Sequence, residues 1–137
     1  MKFAALAFAA IGVIAVGSLF VVVLIPGFLC ENMLIEEVFS PNEEMKAVVF
    51  QRECSSSSDY STQVSINPAS SELPSGVGNI FIANTNNGAA PRSATGGPVV
   101  KVRWRDATFL ELTHHPDARV FLAEPLIDGI RVGYDIR

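Results

Sequence analysis

The sequence predicts a mainly β protein: an N-terminal transmembrane helix followed by a small antiparallel β-sheet or sandwich domain. Three observations carry this expectation. Residues 3–25 are without exception apolar, Gly or Ser. The rest of the chain falls into short runs rich in β-branched and aromatic residues, separated by clusters of Pro, Gly, Ser and Asn. None of those runs keeps an apolar period of 3.6 long enough for a second helix. The expected organisation is a signal anchor over residues 1–29 and one exported β-rich domain over residues 30–137.

The apolar run comes first. At 1.5 Å per residue a helix over 3–25 spans about 35 Å, enough to cross a hydrocarbon core of about 30 Å with some tilt. Pro26-Gly27 marks its end, because Pro cannot donate to the helical ladder. Lys2 and the α-amino group precede the run, whereas Glu31, Glu36 and Glu37 are the first charges after it. The positive-inside bias therefore puts the N-terminus in the cytoplasm and the domain outside. Two further readings also export the domain. One is a signal peptide cut before Ser18, with Ala15 and Gly17 as the small residues, which would leave a strongly apolar mature end. The other is lipidation at Cys30, for which Leu29 is a poor preceding residue.

Cys30 and Cys54 are the two cysteines of the chain. Both fall on the exported side, where oxidising conditions make a disulfide the default. Such a bond closes a loop of about 25 residues and contributes roughly 3 kcal/mol in the chain-entropy model, useful to a domain with so small a core. Two free thiols, or a lipidated Cys30 with Cys54 left over, are the alternatives. No His stands near either cysteine at ligand spacing, so no metal site is expected there.

The strands are expected in the following order. Residues 33–38 form a first strand, Ser40-Pro41-Asn42 a turn, and residues 46–54 a second strand. Its continuous apolar stretch, Ala47-Val48-Val49-Phe50, suits a central strand covered on both faces. A serine-rich turn at 55–59 leads to strands at 62–67 and 79–83. A hairpin with a three-residue loop, Arg105-Asp106-Ala107, sets Val102 opposite Leu110, Val100 opposite Leu112 and Lys101 opposite Glu111. Trp104 is expected to be a lid on the core. Residues 119–123 and 130–136 form a last pair, with Asp128-Gly129 as its turn. The expected core is Val48, Phe50, Val64, Ile66, Val100, Val102, Leu110, Leu112, Val132 and Tyr134.

Between these strands, residues 84–98 read as a mobile loop, long and poor in apolar residues. Asn84, Asn86, Asn87 and Arg92 are its candidate contact residues, Arg92 being its one charge. Reactive chemistry is thin. His114-His115 is the sole histidine site, and neighbours in a strand point to opposite faces, which suits a strand end better than a chelate. A Ser-His-Asp arrangement could be drawn with Asp117, but no Gly-x-Ser-x-Gly elbow supports it. The paired acids Glu36-Glu37 and Glu43-Glu44 read as solvated charges. No catalytic residue, cofactor or metal ligand is therefore expected. A formal net charge of −4 with singly spaced basic residues argues against nucleic acid.

The stretch Ser40-Pro-Asn-Glu-Glu-Met-Lys-Ala-Val-Val-Phe-Gln-Arg-Glu-Cys54 and the following Ser61-Thr-Gln-Val-Ser-Ile66 resemble a group of short exported bacterial proteins of uncharacterised function. There a Ser-Pro turn, an apolar strand ending in Cys and a Ser-Thr-Gln-Val-Ser strand recur. The resemblance covers about a third of the exported part. It implies a bacterial exported β domain and transfers no activity; with the apolar run, the expected place is a bacterial inner membrane with the domain periplasmic or extracellular. The functional expectation is a membrane-anchored protein-interaction or regulatory module, with the lipid bilayer as partner through residues 3–25 and a protein partner at the membrane. An accessory structural subunit of an envelope complex is the alternative, and a hydrolytic enzyme the minor one.

Overall fold

The computed structural model describes residues 29–54 and 60–137. The apolar run at 3–25 and the serine-rich turn lie outside the described residues. Among the described residues no helix is long and apolar enough to cross a membrane. Nine strands follow one another: β1 (Cys30–Phe39), β2 (Met45–Cys54), β3 (Ser61–Pro68), β4 (Phe81–Asn84), β5 (Val100–Asp106), β6 (Phe109–His114), β7 (Arg119–Ala123), β8 (Leu126–Ile127) and β9 (Ile130–Ile136). They form two sheets, ordered β1-β2-β3-β4-β7 and β5-β6-β9-β8.

One apolar layer joins the sheets. Ala47, Val49, Val64, Ile66, Phe81 and Ala83 from the first meet Val100, Leu110, Leu112, Ile130 and Val132 from the second in a single buried cluster. Period-2 alternation explains which residues enter it: Val49 and Val64 are direct partners on β2 and β3, and Phe81 on β4 faces Val64. Val102, Trp104 and Tyr134 pack against its rim. Trp104 acts as the lid expected of it, and its indole N–H donates to the Val38 carbonyl at 2.8 Å, tying β5 to β1 of the other sheet. Tyr134 makes a second tie, its hydroxyl lying 2.7 Å from the Glu124 carbonyl and 3.1 Å from that of Ile80.

Val48 and Phe50 are buried as expected, but on the opposite face of β2, outside the intersheet cluster. The connection from β3 to β4 accounts for this. It runs as a strap across the outer face of the first sheet, pinned at one end where Lys46 Nζ donates to the Ser71 carbonyl. At the other end Arg52 donates to the carbonyls of Ser75 and Gly76, and Asn32 to those of Pro74 and Gly76. Lys46, Val48, Phe50 and Arg52 share one face of β2, so the strap passes over the two apolar side chains between its two anchors. The strap ends at Gly78, where an added Cβ would lie 2.8 Å from the backbone oxygens of Val64 and Phe81.

Several expectations are corrected. The β5–β6 hairpin pairs Val102 with Leu112, Trp104 with Leu110, Arg103 with Glu111, Lys101 with Thr113 and Val100 with His114, two residues from the expected register. The register shifts between Trp104 and Asp106, and the turn residues are Ala107 and Thr108. Asp106 Oδ1 accepts from the Thr108 N–H and hydroxyl at 2.8 and 3.0 Å, which stabilises that tighter turn. A two-residue error preserves faces, so the buried set is unchanged. Asp128-Gly129 does turn the chain, with φ of 49° and 78°, but between β8 and β9. β7 instead pairs with β4 in the other sheet. Nor is the second sheet purely antiparallel: β6 and β9 run parallel, which the long path through β7 and β8 makes possible.

Residues 84–98 are not the unpacked loop expected. Thr85, Ala90 and Pro98 are fully buried within the segment. Two turns fold it: the Ala90 N–H donates to Thr85 O at 2.9 Å, and Ser93 N–H to Gly97 O at 2.7 Å. Gly97 is required by contact, since a Cβ there would lie 2.5 Å from Thr62 Oγ1.

Candidate binding groove

The two cysteines are joined: Cys30 and Cys54 face each other across β1 and β2 and form a disulfide, with an S–S length of 2.07 Å. The bond closes the end of the sheet from which the chain leaves toward residue 29.

Of the candidate contact residues, Asn84, Asn86 and Asn87 share one turn, and Arg92 follows it in a bridge with Pro98. Asn86, Asn87 and Gly88 all have positive φ, a left-handed turn that Asn and Gly tolerate best. Asn84 Oδ1 accepts from the Asn86 N–H at 2.9 Å. The Asn86 side chain accepts from Arg119 at 2.7 Å and donates to the Asp117 carbonyl at 3.2 Å, so it serves structure. Asn87 is exposed at the tip. Arg92 is exposed on the other arm, in a bridge with Pro98. His114 ends β6 and His115 follows it, and both border the groove described below. His114 is buried, with Nδ1 donating to the His115 carbonyl at 2.9 Å and its ring 5.2 Å from that of Phe81. His115 is half-buried, and its Nδ1 accepts from the Asp117 N–H at 3.1 Å. Among the described residues no three His, Cys, Asp or Glu side chains converge as metal ligands would.

A more coherent feature lies on the outer face of the second sheet. While Val100, Val102 and Trp104 point toward the core, Lys101, Arg103 and Arg105 alternate with them on the outside of β5. β6 adds Glu111 and Thr113 to the same face, β9 adds Asp135, and Arg137 follows at its end. Pro91 within the 84–98 segment and Val99 just after it build one wall, His114 and His115 complete the lining, and the result is an open groove of about 530 Å³. Its carboxylates are paired: Arg105 holds Glu111 Oε2 through Nε at 2.8 Å and NH2 at 2.6 Å, and Arg137 holds Asp135 at 2.7 Å. Lys101 and Arg103 are exposed and have no hydrogen-bond or ion-pair partner among the described residues.

Two titrating groups near this sheet depart from their usual range. The Thr108 backbone N–H, then its hydroxyl, hold the Asp106 carboxyl below the ordinary carboxylate range. Burial, then the Glu124 carboxylate, push the Tyr134 phenol up to about 12. Neither lines the groove, where His114 and His115 stand beside Thr113.

The sequence reading missed this site although half of its signal was present: Lys101, Arg103 and Arg105 at alternate positions beside Val100 and Val102 already share a face. The contribution of β9 could not be found that way, because it depends on the parallel pairing with β6. Comparison with known proteins finds no match: no family model, no curated protein and no solved structure aligns significantly with the chain.

Proposed function

We propose that this chain is a membrane-anchored extracytoplasmic binding module, held in a bacterial inner membrane by residues 3–25 with its N-terminus in the cytoplasm, and acting by contact with a protein partner. The groove on the outer face of β5, β6 and β9 carries the reading. It is open, it is bordered by the 84–98 segment, and it presents two cations with no partner among the described residues. The apolar run, the acidic flank after it and the resemblance of residues 40–54 and 61–66 to short exported bacterial proteins support the placement. No catalytic role is proposed. The test is a photo-crosslinking amino acid placed at Val99 or Thr113, on the groove, and at Val77, on the strap of the other sheet. A discrete adduct from the groove positions and none from Val77 is expected in intact cells. Equal adducts from all three, or none, would remove the groove as the contact surface. Accessibility labelling of the domain from outside the cytoplasmic membrane tests the orientation independently.

The accessory-subunit reading rests on a different observation. β1 is an edge strand among those described, and Met33, Leu34, Ile35 and Phe39 along it are 40–49% exposed. Apolar edges of this kind are covered in stable assemblies. A stoichiometric partner that survives gentle extraction and whose loss follows Ile35→Lys would favour that role.

A further inference from the structure

The groove has a chemical bias that deepens the proposed function and rests on it. Four of the ten Lys and Arg of the protein line it, against two of its fourteen Asp and Glu. It therefore holds a surplus of two positive charges on a chain whose formal net charge is −4. Since Glu111 and Asp135 are each occupied by an arginine of the groove, the surplus is concentrated on Lys101 and Arg103. These two stand at alternate positions of one strand, hence on one face and roughly 7 Å apart along it. Alternate side chains of any extended peptide have the same spacing.

We propose that the groove binds an extended acidic peptide segment of a partner protein, with two carboxylates at alternate positions, one on Arg103 and one on Lys101. The Arg103 guanidinium can take a carboxylate through two parallel N–H donors, whereas Lys101 supplies a point charge. Thr113, the cross-strand partner of Lys101, adds a hydroxyl on the same face. A peptide fits better than a phosphate polymer or an anionic bilayer. Glu111 and Asp135 also line the groove and repel a uniformly negative ligand, but peptide N–H groups can approach them. Val99 and Pro91 offer an apolar wall to an uncharged side chain between the acids.

The experiment uses the full chain in non-ionic detergent micelles and a fluorescent synthetic peptide of alternating Glu and Thr, read by anisotropy. Saturable binding that weakens with salt is expected, with at least tenfold loss when Gln replaces Glu in the peptide. Lys101→Glu and Arg103→Glu should each weaken binding tenfold or more, while Val77→Glu, which adds negative charge elsewhere, should leave it unchanged. The double variant K101E/R103E should gain binding to the matching Lys-Thr peptide, a gain that an unfolded domain could not produce. Binding equal to that of the Gln peptide, indifference to both substitutions, or preferential capture of phosphatidylglycerol vesicles or inorganic phosphate would overturn the proposal. If the peptide fails while groove crosslinks to a protein persist, the binding-module reading stands and only the acidic chemistry falls. If both fail, both fall.

Discussion

Leu112 is fully buried between the sheets, and its loss to Ala removes apolar contacts that neither sheet can close over. Leu112→Ala should destabilise the domain by about 2–5 kcal/mol in urea unfolding. Tyr134 yields a pH prediction. Its phenol is neutral when protonated, and burial raises its folded pKa to about 12 from an ordinary value of 10.0. The contribution is therefore complete below pH 10 and is lost as the pH climbs through 12, because the unfolded chain releases this proton first. An absorbance titration at 295 nm should show a late phenolate step near pH 12, coincident with loss of stability and missing from Tyr134→Phe. A step for Tyr134 near pH 10 in the folded protein would contradict the burial of the phenol.

The elements of the first sheet depend on one covalent constraint at its end. The Cys30–Cys54 disulfide joins facing residues of β1 and β2, and reducing it should lower stability by about 2–4 kcal/mol. Thiol labelling of the denatured, unreduced protein should find no free sulfhydryl, and stoichiometric labelling would refute the bond. The 84–98 segment makes a contrasting case. Read as a polar loop, it would be replaceable by a short Gly-Ser turn without effect on the fold. With Thr85, Ala90 and Pro98 buried, the same replacement should remove at least about 2 kcal/mol. A thermal melt identical to that of the intact protein would show that the segment contributes nothing to packing.

Across the whole molecule the two sheets share one apolar layer and are tied by Trp104 to Val38 and by Tyr134 to Ile80 and Glu124. They should unfold together, so intrinsic fluorescence from Trp104, the single tryptophan, and far-ultraviolet circular dichroism should give coincident urea transitions. Separate transitions would mean that the sheets are independent. Charge is distributed at the same scale: an acidic molecule carries a locally cationic groove, so high salt should weaken binding of the proposed acidic peptide while leaving the transition midpoint little changed.

Every strand but the two-residue β8, the continuous apolar run of β2, the alternation in β5, β6 and β9, the Ser40 and Asp128-Gly129 turns and the pairing of the cysteines were legible in the sequence. Each depends on neighbours close along the chain, on the side-chain period of two, or on there being only two cysteines. What only the tertiary structure decided has a common physical origin in long-range pairing. β7 and β9 have similar local character, yet β7 joins β4 while β9 lies parallel to β6. No local pattern states a strand's partner, because the pleat presents the same hydrogen-bonding edge to any of them. The strap over Val48 and Phe50 and the packing of 84–98 are of the same kind, since polar segments were ordered by distant partners such as Lys46, Arg52 and Thr62. The groove joins the two cases. Alternation put Lys101, Arg103 and Arg105 on one face, but a site formed only when parallel pairing brought Asp135 and Arg137 alongside and the 84–98 segment supplied a wall.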